Sequence, residues 1–192
     1  MKKISLLSGA IALLSIASQT SATTVIAPTF SQLVNEAEVI FQGTVTASRS
    51  VWVGEGAQRD IMTYVTFKVD DAVKGTPGSM YTISMVGGTV GQDTMEISGA
   101  PKFKIGSRDL LFVQHNGQQF IPLVGIMHGR FRVQQDQSGR DVVMTDDKAP
   151  LSNTAELGVN EQNARAGSAM SVDQFKNAVR ETIKQSASHP AQ

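Results

Sequence analysis

The chain has 192 residues, with 17 Lys and Arg against 17 Asp and Glu, three His and no Cys. This length fits one domain, and the lack of Cys excludes disulfides, thiolate nucleophiles and Cys-based metal sites. The charges nearly cancel and are mixed along the sequence, so the chain lacks the basic surface that supplies most nucleic-acid affinity, and we expect no nucleic-acid partner.

Residues 1–22 have the pattern of a bacterial secretory signal peptide. Lys2 and Lys3 precede an apolar stretch from Ile4 to Ala17, and small residues follow as far as Ala22. This pattern predicts cleavage after Ala22 and a mature N-terminus at Thr23. Because the apolar stretch is shorter than the roughly 20 residues that span a bilayer, a retained anchor is the less favoured alternative. No later segment is apolar enough to be transmembrane, so we expect a periplasmic or secreted protein.

The mature chain is expected to begin with a short extended segment, Thr23 to Pro28, followed by a helix. Thr29 and Gln32 have the spacing of a capping box, and apolar residues at helical spacing predict a helix from about Phe30 to Ala37. From Val39 to Val53 the apolar period changes to two, which predicts a long strand.

Gly54-Glu55-Gly56 predicts a turn after this strand, and a second long strand around Val65 to Val69 should pair with the first as a hairpin. Shorter strands separated by Gly-rich turns are expected at Tyr81 to Val86, Thr94 to Ile97, Leu110 to Val113, Gln119 to Val124, Gly129 to Val133 and Asp141 to Met144. Asn116-Gly117 is a favourable hairpin dipeptide and should join the strands on either side of it.

The C-terminal part combines a polar linker with a helix. Residues 146–170 show no apolar period and are expected to form a linker or loosely attached loop. Ser171 and Gln174 have the spacing of a second capping box, and a helix is predicted over residues 171–185. Its apolar stripe is Val172, Phe175, Val179 and Ile183, with Lys176, Arg180 and Lys184 expected on the surface. Residues 186–192 should form a disordered tail.

Strands at short intervals without βαβ alternation predict a mainly β fold. We expect an antiparallel OB-like barrel or sandwich, with a short N-terminal helix and a C-terminal helix. The chain then divides into the signal peptide, a β-barrel domain over residues 23–145, the linker, the helix and the tail. A parallel nucleotide-binding sheet is disfavoured.

The three histidines are the candidates for metal or acid–base chemistry. His115 and His128 could approach each other on neighbouring strands, and Asp109 or Asp136 could complete a metal site. The spacing matches no H-x-H or H-x-x-x-H pattern, so plain surface histidines are the favoured interpretation and no metal or other cofactor is predicted. His189 lies in the predicted tail and is expected to be inert.

Other catalytic patterns are weak. No G-x-S-x-G elbow is present. The adjacent carboxylates Asp70-Asp71 and Asp146-Asp147 would face opposite sides of a strand or lie in solvent. Gly87 to Gly91 lacks the Lys-Ser/Thr of a phosphate-binding loop and no helix pattern begins there, so a mobile connection between strands is favoured over a phosphate site.

Several motifs resemble those of a broad set of secreted bacterial proteins. The matching segments, in order, are Glu36 to Val45, Val69 to Gly75, Gly87-Gly88, Gly99 to Gly106, Leu110 to Phe112 and Val124 to Val133. The resemblance covers about Phe30 to Val133. It implies an exported β domain and does not imply a particular activity.

The opening strand is also similar to that of netrin-like, OB-type barrels, which include the tissue inhibitors of metalloproteinases. This resemblance implies a five-stranded barrel closed by a helix. Those inhibitors use an N-terminal Cys and disulfides, and this chain has no Cys. Their mode of inhibition is therefore not carried over to Thr23.

The favoured function is an exported, non-enzymatic binding module for another extracytoplasmic protein, such as an inhibitor or accessory. The expected binding residues lie at the mature N-terminus and at Gly-rich loops: Thr23, Thr24, Trp52, Gly54, Gly56, Gly87 and Gly88. Trp52 could be a binding anchor or could pack at a strand end. The alternatives are a metal-dependent or hydrolytic enzyme centred on His115 and His128, and a structural component of the envelope or matrix.

Overall fold

The structure, a computed structural model, describes residues 27–158 and 167–188. In these residues two α-helices, α1 (Phe30–Glu36) and α2 (Val172–Ser188), accompany eight strands. The strands are β1 (Val39–Val53), β2 (Asp60–Lys74), β3 (Met80–Val86), β4 (Gly88–Val90), β5 (Asp93–Met95), β6 (Arg108–Val113), β7 (Arg130–Gln135) and β8 (Asp141–Met144). The mainly β fold with a short helix near the N-terminus and a second helix at the C-terminus is confirmed.

Six strands form one antiparallel sheet in the order β3-β2-β1-β6-β7-β8, and β4 pairs with β5 separately. The outer strands β3 and β8 do not pair with each other, so the sheet is not closed into a barrel. Chain segments cover the outer edge of β8 instead. The Val143 N–H donates to the Met170 carbonyl at 3.0 Å, and the Leu151 N–H donates to the Val143 carbonyl at 3.2 Å.

The loop that follows β6 covers part of the outer edge of β3. The side-chain amide of Asn116 accepts from the Ser84 N–H at 3.1 Å and donates to the Thr82 carbonyl at 2.8 Å. The Val86 N–H donates to the Phe120 carbonyl at 2.8 Å. The Asn116 amide thus supplies the donor and acceptor that a neighbouring strand would offer.

The hairpin predicted at Asn116-Gly117 is wrong, because no strand forms over residues 119–124. One isolated bridge joins Val113 to Leu123. Pro122 within this segment has no backbone N–H to contribute to a ladder. The local turn signal was real, with Gly117 at φ 83°, but the turn directs the loop to β3 rather than starting a paired strand.

The long hairpin of β1 and β2 confirms the predicted pairing of the first two strands. Its register shifts between Val45 and Ala47, where the Thr46 hydroxyl donates to the Thr66 carbonyl at 3.1 Å. A bulge of this kind reverses the alternation of side chains along one strand. Side chains at even-numbered positions of β1 after the bulge therefore lie on the same face as Val45.

The two faces of the sheet have different covers. One, here called the helix face, carries Ile40, Phe112 and Phe131, and α1 and α2 pack on it. Phe175 of α2 contacts Phe131 with ring centroids 4.9 Å apart. Burying such aromatic side chains contributes roughly 1.5–3 kcal/mol each, which accounts for the docking of α2.

Polar contacts also attach α2 to the sheet. Lys176 is 9% exposed, and its ammonium lies 2.9 Å from Asp71 Oδ2 and 3.2 Å from Gln42 Oε1. Arg180 Nη2 donates to the same Asp71 oxygen at 3.0 Å. The expectation that Lys176 lies on the surface is wrong, because its aliphatic stem packs between α2 and the sheet while its charge pairs with Asp71.

Both predicted capping boxes form. Thr29 and Gln32 cap α1 reciprocally, and Ser171 and Gln174 exchange the same contacts at the start of α2. Helix α2 continues to Ser188, three residues beyond the predicted end, and residues 189–192 lie outside the described residues. No helix in the described ranges is long and apolar enough to cross a membrane.

In its described part, the segment predicted as a linker contributes Leu151 to the core. Leu151 is 1% exposed and packs against the helix face. A short 3-10 helix, Thr154–Glu156, follows it, with Asn153 as its cap. Residues 159–166 of the predicted linker lie outside the described residues.

Candidate functional site

The other face of β1, β2 and β3, here called the groove face, is partly open to solvent. Antiparallel pairing places directly opposed side chains on one face, so Ser50, Thr63 and Met85 form one row across the three strands. The adjacent row contains Ser48 and Val65. These rows form a floor with hydroxyl groups beside apolar side chains.

The β4–β5 hairpin lies over one end of this floor, and glycine permits its close approach. The Gly87 N–H donates to the Ile61 carbonyl at 2.7 Å. Gly88 has φ 133°, and a Cβ on it would overlap the hydroxyl oxygens of Ser50 and Thr63. The expectation of a mobile connection at Gly87 to Gly91 is wrong at this point, because Gly88 to Val90 form a strand paired with β5.

The segment from Ile97 to Phe103 forms a wall beside the floor, in addition to the β4–β5 hairpin. Phe103 packs edge-on against Phe67, with ring centroids 5.3 Å apart. The Arg130 guanidinium stacks on the Phe103 ring at 4.1 Å, and Arg130 Nη1 donates to the Lys102 carbonyl at 2.9 Å. Arg130 therefore holds this wall through two contacts, one with the Phe103 ring and one with the Lys102 carbonyl.

Arg130 is itself held by a buried ion-pair network. It is 1% exposed and its Nε donates to Asp109 Oδ1 at 2.9 Å. Asp146 Oδ1 accepts from Arg130 Nη1 and Arg132 Nη2, each at 3.0 Å. Buried charges of this kind need partners in fixed geometry, so the network gives the wall a defined position. Arg130 Nη2 is the one buried side-chain polar atom without a partner among the described residues.

The floor, the β4–β5 hairpin and the segment from Ile97 to Phe103 border an open cavity of about 390 Å³, which we call the groove. Its lining comprises Ser48, Ser50, Thr63, Val65, Met85, Val86, Gly87, Gly88, Thr89, Thr94, Met95, Glu96, Ile97, Ala100, Pro101, Lys102 and Phe103. Glu96 and Lys102 form an exposed ion pair at 2.9 Å on its rim. The hydrogen bond and charge of Lys102 hold the pKa of Glu96 below its ordinary value.

The groove includes two of the predicted binding residues, Gly87 and Gly88. Trp52 lies on the same face, two cross-strand pairs beyond Ser50, and is paired with the buried Ile61. The Arg59 guanidinium stacks 4.2 Å from the Trp52 ring centroid. Trp52 thus packs at the strand end while part of its side chain stays accessible.

The other predicted binding residues lie elsewhere. Gly54 and Gly56 are exposed at the tip of the β1–β2 hairpin, with φ 90° and 56°, and they do not line the groove. Thr23 and Thr24 lie outside the described residues. The structure therefore brings together Gly87, Gly88 and, nearby, Trp52.

His115 and His128, the weak alternative for a metal site, do not join a metal cluster in residues 27–158 and 167–188. His115 is exposed, 3.8 Å from Glu38 and 3.1 Å from the Gln119 amide. His128 lines a smaller cavity of about 260 Å³ with Asp146 and Asp147. No group of three His, Asp or Glu residues capable of holding a metal occurs in this part of the chain.

The two carboxylates that could have completed a metal site, Asp109 and Asp136, have other partners. Asp109 is fully buried against Arg130 and accepts from the Ser107 hydroxyl at 3.0 Å. Asp136 holds the β7–β8 turn. Hydrogen bonds from Ser138 and Arg140 lower the pKa of Asp136 to about 2. Both carboxylates are engaged by hydrogen bonds of the fold itself.

Most of the groove lining was not predicted. Ser48, Ser50 and Trp52 alternate with other residues at a period of two. This period could have predicted that the two serines lie on one face of the strand. The Ile97 to Phe103 wall has no period. Its position depends on Arg130, 28 residues from Lys102 in sequence, and no local signal indicates that contact.

A comparison with protein-family models gives no match for this chain, and a comparison with curated proteins gives no match either. The resemblance to secreted bacterial proteins and to netrin-like domains stays a prediction from the motifs. Function is therefore inferred from the groove.

Proposed function

We propose that this protein is an exported, non-enzymatic binding domain that holds a segment of another extracytoplasmic protein in the groove. The observation that supports this most is the open groove of about 390 Å³ between the β4–β5 hairpin and the segment from Ile97 to Phe103. Binding sites are typically concave, largely apolar, and lined by a few placed polar groups. The lining of the groove combines apolar side chains such as Met85 and Phe103 with hydroxyl groups such as that of Ser50.

The lining chemistry favours binding over catalysis. Among the lining residues the only charged groups are Glu96 and Lys102, which pair with each other on the rim. The hydroxyls on the floor have no histidine in the lining to serve as a base. Nucleophilic catalysis by a hydroxyl needs such an adjacent base, so these residues better suit recognition.

The extracytoplasmic location of the partner follows from the signal-peptide pattern of residues 1–22. A cysteine-free chain is also well suited to an oxidising compartment, where free thiols would oxidise. The predicted partner is therefore a periplasmic or secreted protein.

Substitution on the two faces of β1 tests the proposal. Ser48 lines the groove and is exposed, whereas Ala47 is exposed on the opposite face of the same strand. Ser48→Trp should fill the groove and reduce capture of the partner from periplasm and culture medium by about tenfold or more, since each 1.4 kcal/mol is a factor of ten. Ala47→Trp is the matched control and should leave capture unchanged.

The measurement is quantitative mass spectrometry of proteins captured by wild type and both variants. Circular dichroism and urea unfolding establish that the variants fold. A partner captured equally by Ser48→Trp and wild type would place recognition outside the groove and contradict the proposal.

A further inference from the structure

The groove floor contains a hydroxyl chain whose direction is fixed. The Thr63 hydroxyl lies 2.5 Å from the Gly87 carbonyl and 2.8 Å from the Ser50 hydroxyl. A carbonyl oxygen only accepts, so Thr63 must donate its single proton to Gly87. Ser50 must then be the donor in the contact with Thr63. The chain runs from Ser50 to Thr63 to Gly87.

This direction determines what Ser50 offers to the groove. Its single proton is engaged by Thr63, so the Ser50 oxygen presents lone pairs only. Ser50 is half-buried and lines the cavity, where a hydrogen-bond group that stays unmatched after a ligand excludes water is costly. The complementary ligand group is therefore an N–H or O–H donor.

The side chains around Ser50 indicate which chemical group should carry this donor. Met85, in the same cross-strand row, and Met95, on the β4–β5 hairpin, line the groove with Phe103. Thioether and aromatic side chains favour contact with an aromatic ring. The charges of Glu96 and Lys102 pair with each other on the rim and leave no net charge for an ionic ligand.

We infer that the groove selects an aromatic side chain that carries a ring hydrogen-bond donor, with the tryptophan indole as its occupant and the indole N–H donating to Ser50. This inference rests on the proposed function, because it names the part of the partner that enters the groove. A tryptophan on the partner would place its ring between Met85, Met95 and Phe103. Its N–H would complete the hydroxyl chain.

The test compares indole with 1-methylindole, which lacks the donor. Their dissociation constants are measured by titration with methyl-labelled protein, and shifts of the Met85 and Met95 methyl signals establish binding in the groove. Wild type should bind indole about 3- to 10-fold more tightly than 1-methylindole, as one hydrogen bond allows. Ser50→Ala should reduce this ratio to about one.

A control variant tests whether the loss of the preference for indole is specific to Ser50. Thr82→Ala, on the opposite, exposed face of β3, should keep the wild-type ratio. Persistence of the preference for indole in Ser50→Ala would mean that the methyl group is excluded by size, and would overturn the role of Ser50.

The outcomes also separate this inference from the proposed function. Equal affinities of wild type for the two compounds, with groove shifts for both, would overturn the donor requirement and leave the groove as a binding site. If neither compound shifts the methyl signals of Met85 and Met95, the proposal of an aromatic occupant is overturned. The capture experiment with Ser48→Trp is unaffected by either result and tests the groove itself.

Discussion

At the scale of single residues, Gly88 has the tightest requirement in the groove. It has φ 133°, a region that side chains of L-residues rarely adopt, and a Cβ there would overlap two hydroxyls. The pairing of Gly88 with Met95 then sets the β4–β5 hairpin over the floor. Glycine at this position therefore determines both the backbone path and the shape of the groove.

Gly88→Ala should lower the free energy of unfolding by at least about 2 kcal/mol, because backbone strain and overlap with Ser50 and Thr63 add. Gly91→Ala is the matched control. Gly91 has φ 62° with nothing near its Cβ position, so only the strain of about 1 kcal/mol applies. Urea unfolding measures both, and equal losses would contradict the close approach of Gly88 to the floor.

Part of the site could be predicted from local sequence patterns. Gly87 and Gly88 were predicted because a glycine pair at a strand end is a local signal. Ser50 and Thr63 were not predicted, because a serine or threonine in a strand is ordinary and only cross-strand register brings the two together. The direction of their hydroxyl chain depends on the Gly87 carbonyl and is a property of the folded backbone.

At the scale of elements, α2 is the most fully predicted part of the fold. Its capping box and apolar stripe are local patterns, and both are confirmed. The burial of Lys176 was missed because its partner Asp71 is about 100 residues away in β2. Likewise, the Asn116 turn was predicted as a hairpin, although its amide contacts β3 rather than a partner strand.

The attachment of α2 should depend on pH through Asp71. Burial raises the pKa of this carboxyl, but the hydrogen bond and charge of Lys176 and the charge of Arg180 outweigh it, so the net pKa lies below its ordinary value of 3.8. A carboxyl with a lowered folded-state pKa contributes its full stabilisation above the unfolded value. That contribution is lost as the pH falls through the folded value.

Asp71→Asn should therefore lower the free energy of unfolding at pH 7 by about 1 to 2 kcal/mol. This loss lies between those typical of breaking an exposed and a buried ion pair. The loss should shrink below pH 4, where the wild-type carboxyl is protonated too. Asp93→Asn, in exposed β5, is the control and should change stability by less than about 0.5 kcal/mol. A loss that stays constant from pH 7 to pH 2.5 would contradict the assigned pairing.

At the scale of the whole molecule, the open sheet leaves different chemistry on its two faces. The helix face is covered by α1 and α2, and the cluster around Phe175 stabilises it without disulfides. The groove face is covered only in part, by the β4–β5 hairpin and the wall that Arg130 supports. The mainly β class could be predicted from periodicity, whereas closure of the sheet depends on long-range pairing of its edges.

Photo-cross-linking in cells that produce the protein is the most direct test of the groove as the recognition surface. A benzophenone amino acid is placed at Ser48, inside the groove, and separately at Ala47, on the opposite face. We expect irradiation to yield a covalent adduct with an extracytoplasmic protein from position 48, at least several-fold more abundant than from position 47. An adduct formed from position 47 and not from position 48 would contradict the account.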